Sequence, residues 1–296
     1  MIQSLIQIGK PLRSYDSIRE WSDFFFSKAS YQSPIEQAIW GGYSCQQFSF
    51  AFLAGYQAAL EKLFPSIASN ELKALCITEE GGGQAIKTSL VNNQINGSKS
   101  YLTAGSDAAH LFVLCNTNEV KAGRALLKMV HLPNNSAGME ITNFELPFMH
   151  EVKHGKLLLK EVGIESAQIL PGDGFIDYAK PFRSLEDIHV ATAYQAMLLR
   201  QAMDYQWEEN IRDQLILSLY TLKNLSTLPP NDKETHLLIA ANEHQFEQLL
   251  PDIEANIESK SPTHFKKDWD VNKKVTTIAK KVKALRLTKA RATLFS

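Results

Sequence analysis

Cysteine is scarce in this sequence: Cys45, Cys76 and Cys115 are the only three in 296 residues. Their wide spacing gives no paired thiols and no disulfide framework, which excludes a stapled secreted scaffold and a thiolate metal site. All three lie in apolar surroundings and read as buried thiols. Long hydrophobic runs are missing too. Gly, Gln or a charge interrupts each one well before the roughly 20 residues a membrane helix needs. Met1 to Ile8 is too short and too polar for a secretory signal. The expectation is a cytoplasmic protein with no membrane span. Neither sign of charge is in excess, since 31 basic and 32 acidic residues leave a net charge of −1. Nothing global therefore points to nucleic acid or an anionic surface. The glycine run Gly81-Gly82-Gly83 lacks a following Lys-Ser/Thr and lacks GxGxxG spacing, so it is neither a phosphate loop nor a dinucleotide fingerprint. There are no obvious repeats and no low-complexity segment.

What is present is organised around Leu75 to Thr103. Leu75-Cys76-Ile77 is a short strand-forming run, followed by Thr78 and Glu79. The glycine triplet then serves either as a structural turn or as a close approach to a ligand. Asn96-Gly97 is a strong tight-turn signal. Ser100 to Thr103 and Leu111 to Cys115 resume the strand pattern. Short strands joined by turns argue against a doubly wound nucleotide fold.

The flanks differ. Residues 1–70 read as helical. Asp16 or Ser17 caps a helix to about Ser27, whose Trp21, Phe24, Phe25 and Phe26 form an aromatic face for core or subunit contact. Ser33-Pro34 starts a second helix. Gln47 to Phe64 repeats apolar residues at helical spacing, with Gly41, Gly42 and Gly55 permitting close contact. Residues 71–181 are rich in short strands, including Ala125 to Leu132, Ala137 to Ile141 and Leu157 to Val162. His150 and His154 stand four apart among strands and turns, where that spacing does not make a metal pair, so no metal is expected. Residues 182–296 form four helical segments, about 185–205, 208–225, 232–258 with Pro251 as a kink or break, and 263–294. They suggest an antiparallel bundle. The last segment is strongly basic, either a solvated face or a surface for an acidic cofactor or thioester. The fold class is α+β: a helical N-terminal region, a small middle β-barrel or sheet domain, and a C-terminal four-helix bundle.

This arrangement resembles the acyl-CoA dehydrogenase family, and the likeness extends to motifs. CITEEGGGQ, from Cys76 to Gln84, is similar to the family's middle-domain signature. INGSKSYLTAGSDAAHLFVL, PGDGFIDYAKPFR and SLEDIHVATAYQA continue it. The resemblance implies an FAD-dependent oxidoreductase that dehydrogenates an acyl thioester between its α and β carbons. It assigns flavin contact to Leu75, Ile77, Thr78, Gly83, Tyr101 and Thr103, with Thr78 near the pyrimidine edge, Tyr101 stacked on the ring and Thr103 near N5. It also implies non-covalent FAD, an acyl-CoA or related thioester as partner, a homodimer or homotetramer, and an electron-transfer partner.

The departures are as informative. The usual Ser-Asp of the signature is replaced by Gln84-Ala85. The C-terminal stretch from His264 to Asp270 resembles the family's Arg-rich segment, but counting onward places Thr276 where the family has its catalytic Glu. Threonine is no base at neutral pH, and 273–279 contains no acid. Some members carry the base on the first bundle helix, and by ungapped counting Glu186 falls there. Helix capping by Glu186 or Asp187 competes with that role, as does base chemistry at Asp187 or His189. Three functions follow: an acyl-CoA dehydrogenase-like enzyme, a flavin- or acyl-CoA-binding homologue with altered chemistry, and a structural subunit that kept the fold.

Overall fold

The computed structural model describes residues 14–29, 33–67, 70–81, 85–121, 123–273 and 280–294. Its contacts divide the chain into two compact units, Leu63–Arg183 and the combination of Met1–Lys62 with Ser184–Ser296.

The helical unit begins with α1 (Ile18–Ala29), α2 (Pro34–Ser44) and α3 (Phe48–Leu63). Ser17 Oγ accepts from the Glu20 N–H at 3.2 Å, the expected N-terminal cap. Trp21 and Phe25 stack at 4.8 Å, and Phe50 of α3 stacks on Trp21 at 5.6 Å. The aromatic face thus serves the core, with Trp21 and Phe25 both buried. The long helix α4 (Lys180–Asp204) lies against α2 closely enough that a Cβ on Gly42 would fall 2.0 Å from the Ala193 carbonyl oxygen. Glycine there is a packing requirement. α5 (Glu209–Leu225), α6 (Lys233–Lys260), α7 (Thr263–Asn272) and α8 (Lys280–Leu294) complete the described helices. Ile35, Ile188, Leu222, Leu225 and Ile239 join α2, α4, α5 and α6 in one apolar cluster. The Asp268 carboxylate of α7 accepts from the Phe48 N–H at 2.7 Å and caps α3 across 220 residues of sequence.

The bundle departs from expectation in two places. The first bundle helix does not start near residue 185, where Ser184 would cap it. A π-helical turn, Gly174–Ala179, runs directly into α4. The cap is Asp173, whose carboxylate accepts from the N–H groups of Phe175 at 3.0 Å and Ile176 at 2.9 Å. Glu186 and Asp187 are therefore interior helix residues, and neither has a capping role. Pro251 does not divide α6, which is helical through it. α7 and α8 both fall within the expected fourth segment, and the residues between them, Thr276 included, lie outside the described residues.

The other unit is a mixed sheet of β1 (Lys73–Cys76), β2 (Ser89–Val91), β3 (Gln94–Thr103), β4 (His110–Lys121), β5 (Arg124–Pro133), β6 (Met139–Phe144) and β7 (His154–Gly163). Strand order is β1-β4-β2-β3-β7-β6, and β5 pairs with β4. The sheet's core is a continuous buried run in β4, Leu111 to Cys115, together with Met129, Val130 and Leu132 of β5 and the alternate residues Leu157 and Leu159 of β7. Phe64 stacks on Phe112 at 3.7 Å.

The hairpin turn is not at Asn96-Gly97. β2 and β3 pair as Val91 with Gln94, so Asn92-Asn93 is the two-residue turn, with φ of 51° and 57°. Both central residues with positive φ suit a hairpin, and Asn tolerates that region. Asn96-Gly97 lies inside β3 at a β-bulge against β7. Gly97 has φ 148°, and a Cβ there would lie 2.6 Å from Thr88 Cα. Glycine here reports close strand approach rather than chain reversal.

Candidate functional site

In the sheet unit, the sequence-assigned residues separate by exposure. Leu75, in β1, is in register with Phe112 and buried. Thr103, in β3, is in register with His154 and also buried. Ile77 and Thr78 follow β1. Ile77 is half-buried and Thr78 is exposed. The Thr78 carbonyl accepts from the Ser100 N–H at 2.7 Å, which brings Thr78 beside Tyr101. Tyr101 sits where the β3–β7 register shifts, at φ 60°, and is 58% exposed. Gly83 lies outside the described residues. An exposed aromatic ring held next to Thr78, whose N–H and hydroxyl donate to no described residue, suits a flat heteroaromatic ligand with acceptors on its edge.

Beneath this surface is a feature that sequence reading missed. The Lys99 ammonium, with its side chain fully buried, meets Glu79 at 2.7 Å and the Ile77 carbonyl at 3.4 Å. Glu79 also accepts from the Lys87 N–H at 2.8 Å, the Thr88 N–H at 2.9 Å and the Thr88 hydroxyl at 2.7 Å. Burial alone raises a carboxyl pKa, but these donors, Lys99 first, overcome it and hold Glu79 at about 2. One carboxylate thus fixes both ends of the segment that contains the glycine run. Nothing local in the sequence connects Glu79 to Lys99, because the pairing arises from sheet register.

In the helical unit, Glu186 and Asp187 differ sharply. Asp187 pairs with Lys283 at 3.1 Å and with Arg286, both from α8. Lys283 also binds Glu243 of α6. Glu186 is half-buried and takes no hydrogen bond or ion pair from the described residues. Burial first, then the neighbouring Asp187 charge, push its carboxyl up to about 7, against the opposing pull of Lys283 and Arg286. His189 is buried. Its Nδ1 meets the Leu185 carbonyl at 2.7 Å, and burial lowers it to about 4, so the ring is neutral at pH 7. The basic stretch of α8 is therefore partly an internal counterion set rather than a uniformly solvated face. A signal was available: Val271 to Ser296 contains no acid, so its cations had to find partners elsewhere.

Among the described residues, no group of three or more His, Cys, Asp or Glu side chains is placed to hold a metal ion. No described helix is long and apolar enough to cross a membrane.

A helical region, a mixed sheet and a helical bundle, in that order, define the three-part architecture of the acyl-CoA dehydrogenases. The chain superposes on butyryl-CoA dehydrogenase from Megasphaera elsdenii with a TM-score of 0.69 over 93% of this chain and 90% of that one, at 12% identity. An FAD complex of PigA gives a TM-score of 0.66 over 92% and 90%, at 11% identity. In sequence, the chain is 29% identical over 130 residues to a glutaryl-CoA dehydrogenase from Desulfococcus multivorans. That match spans 40% of this chain and only 33% of the relative's length. No family model matches. The chain has the acyl-CoA dehydrogenase fold.

Proposed function

We propose that this protein is a flavin-dependent oxidoreductase acting on an acyl thioester, with FAD as cofactor and Glu186 as the proton-abstracting group. The observation that carries the reading is the Glu186 carboxyl, unpaired among the described residues and with a pKa of about 7, beside an Asp187 engaged by Lys283 and Arg286. A general base works best when its pKa lies near the operating pH, and environments that push neighbouring carboxyls apart mark the acid–base assignment. Thr78 and Tyr101 would hold the flavin ring, through donors that engage no described residue and an exposed aromatic face. Ile77 and Gly83 would line the same segment. Leu75 and Thr103, being buried, would support it through backbone and packing. When bound, FAD supplies the hydride-accepting chemistry that no side chain can. Glu186 supplies proton removal from the carbon next to the thioester carbonyl. A homodimer or homotetramer and a redox partner that reoxidises the flavin belong to the same reading.

The test begins with the absorption spectrum of gently purified protein, which should show a flavin. Anaerobic titration with a chain-length panel of acyl-CoA thioesters should bleach it. Glu186→Gln should keep the flavin and the fold while slowing bleaching by about 10²–10⁴-fold. Bleaching at the native rate would eliminate Glu186 as the base. One observation favours a second reading, a flavin- or acyl-CoA-binding homologue with altered chemistry: the position counted for the usual C-terminal Glu is Thr276. A flavin that no acyl-CoA bleaches would support it.

A further inference from the structure

The engagement of Asp187 has a charge count that bears on its neighbour. Asp187 and Glu243 contribute two negative charges, and Lys283 and Arg286 two positive ones. The cluster is neutral without Glu186. Arg286 also reaches the Ser184 hydroxyl at 3.5 Å, one turn back on α4. Consecutive helix residues do not share a face, so the cations that clasp Asp187 leave Glu186 outside the pairing. Other titratable groups lie nearby. His236 of α6 lines the same small cavity as Glu243, Lys283 and Arg286, with its Nε2 at 3.1 Å from the Pro230 carbonyl. His189 is neutral, with Lys62 among the charges acting on it. Tyr194 is buried, and its hydroxyl is held far above the ordinary range.

We propose that Asp187 is a positioning residue for Glu186: locked by Lys283 and Arg286 into a neutral cluster, it leaves Glu186 as the carboxyl on that turn of α4 with no ion pair among the described residues, able to take and release a proton. The proposal rests on the reading of Glu186 as the base, and deepens it by naming what sets the proton affinity of that base. A merely structural cluster would hold α4, α6 and α8 together with no particular sign of effect on Glu186. A tuning cluster has signs fixed in advance. Arg286→Gln leaves a net negative charge beside Glu186 and strengthens its hold on a proton. Asp187→Asn leaves a net positive charge and weakens it.

The experiment uses the full chain, labelled with carboxyl-¹³C glutamate. The Glu186 resonance is identified by its loss in Glu186→Gln. Its titration midpoint should move up by about one pH unit in Arg286→Gln and down by a similar amount in Asp187→Asn, the scale of a nearby charge. The double variant Asp187→Asn/Arg286→Gln restores neutrality and should titrate close to the parent. It also keeps the test alive if Asp187→Asn alone fails to fold. Shifts in the same direction in both single variants, or a double variant that does not return, would overturn the proposal. The pH profile of anaerobic flavin reduction by butyryl-CoA and longer acyl-CoA thioesters should follow the same midpoints. Opposite shifts of the resonance with no matching shift in the reduction profile would uphold the tuning of Glu186 while removing it as the base.

Discussion

Lys99 and Glu79 are twenty residues apart in sequence and meet at 2.7 Å inside the sheet unit, with the lysine side chain fully buried. A buried ammonium without a counterion is costly, so the pair is unequal: removing the carboxylate hurts more than removing both charges. Glu79→Gln should lower stability by about 3–5 kcal/mol in urea unfolding. The double variant Glu79→Gln/Lys99→Met should recover most of that loss. If the two variants are equally unstable, the lost donors from Thr88 and Lys87 matter more than the buried charge.

The same pair sets an acid limit. The folded-state pKa of Glu79 is depressed to about 2, from an ordinary 4.5. Its contribution is therefore full above pH 4.5 and is lost as pH falls toward 2. Unfolding midpoints followed between pH 6 and pH 2 should fall less steeply in the Glu79→Gln/Lys99→Met variant than in the parent across this window. Parallel curves would mean that Glu79 is not the group responsible.

Asp268 caps α3 from a helix far along the chain, and its other oxygen accepts from the Asn272 amide at 2.7 Å. Asp268→Ala removes one satisfied helix N-terminus and should cost about 0.5–2 kcal/mol. Asp268→Asn keeps an acceptor and should cost less. Equal losses would place the effect in the carboxylate charge at the helix end rather than in the hydrogen bond.

Helix periodicity, Pro and Ser boundaries and the strand-rich middle region carried the fold in the sequence, because these signals act within a few residues. Asn96-Gly97 misled because the dipeptide that suits a tight turn also suits a bulge where a neighbouring strand leaves no room for Cβ. The choice between them depends on the Gly97–Thr88 contact, which is not local. The start of α4 misled for a similar reason. Ser184 and Asp187 have cap chemistry, but Asp173 had already capped the helix, and Asp187 had found cations about a hundred residues away. Glu186, the proposed base, was singled out by counting along the resemblance. What isolates it, the neutral cluster around Asp187, was not legible, because Lys283 and Arg286 looked like any exposed basic stripe. Gly97→Ala tests the bulge directly. A Cβ 2.6 Å from Thr88 Cα must displace backbone, so the variant should lose about 1–3 kcal/mol. A change within 0.5 kcal/mol in thermal unfolding would argue that the strands separate easily there.

Tyr101 offers the sharpest separation of function from stability. It is a bulky residue at φ 60°, exposed, with its ring edge-on to Phe144 at 5.8 Å. The left-handed region disfavours a side chain by roughly 1–2 kcal/mol. Strain of this kind persists where surrounding structure holds it, and it gathers at functional sites. Nothing about the packing of an exposed ring explains why it is kept in such a backbone. The flavin contact proposed for this ring would. Tyr101→Gly relieves the backbone and removes the ring. If the strain serves ligand binding, this variant should be as stable as the parent, or up to about 1 kcal/mol more stable, without flavin. Its flavin affinity, measured by fluorescence titration of the flavin-stripped protein, should fall about tenfold, within the range for losing one aromatic contact. Tyr101→Trp should retain binding at the parental backbone strain. A glycine variant that loses stability yet binds flavin as tightly as the parent would assign Tyr101 to the sheet and its Phe144 contact, and the flavin face would have to be sought among other residues.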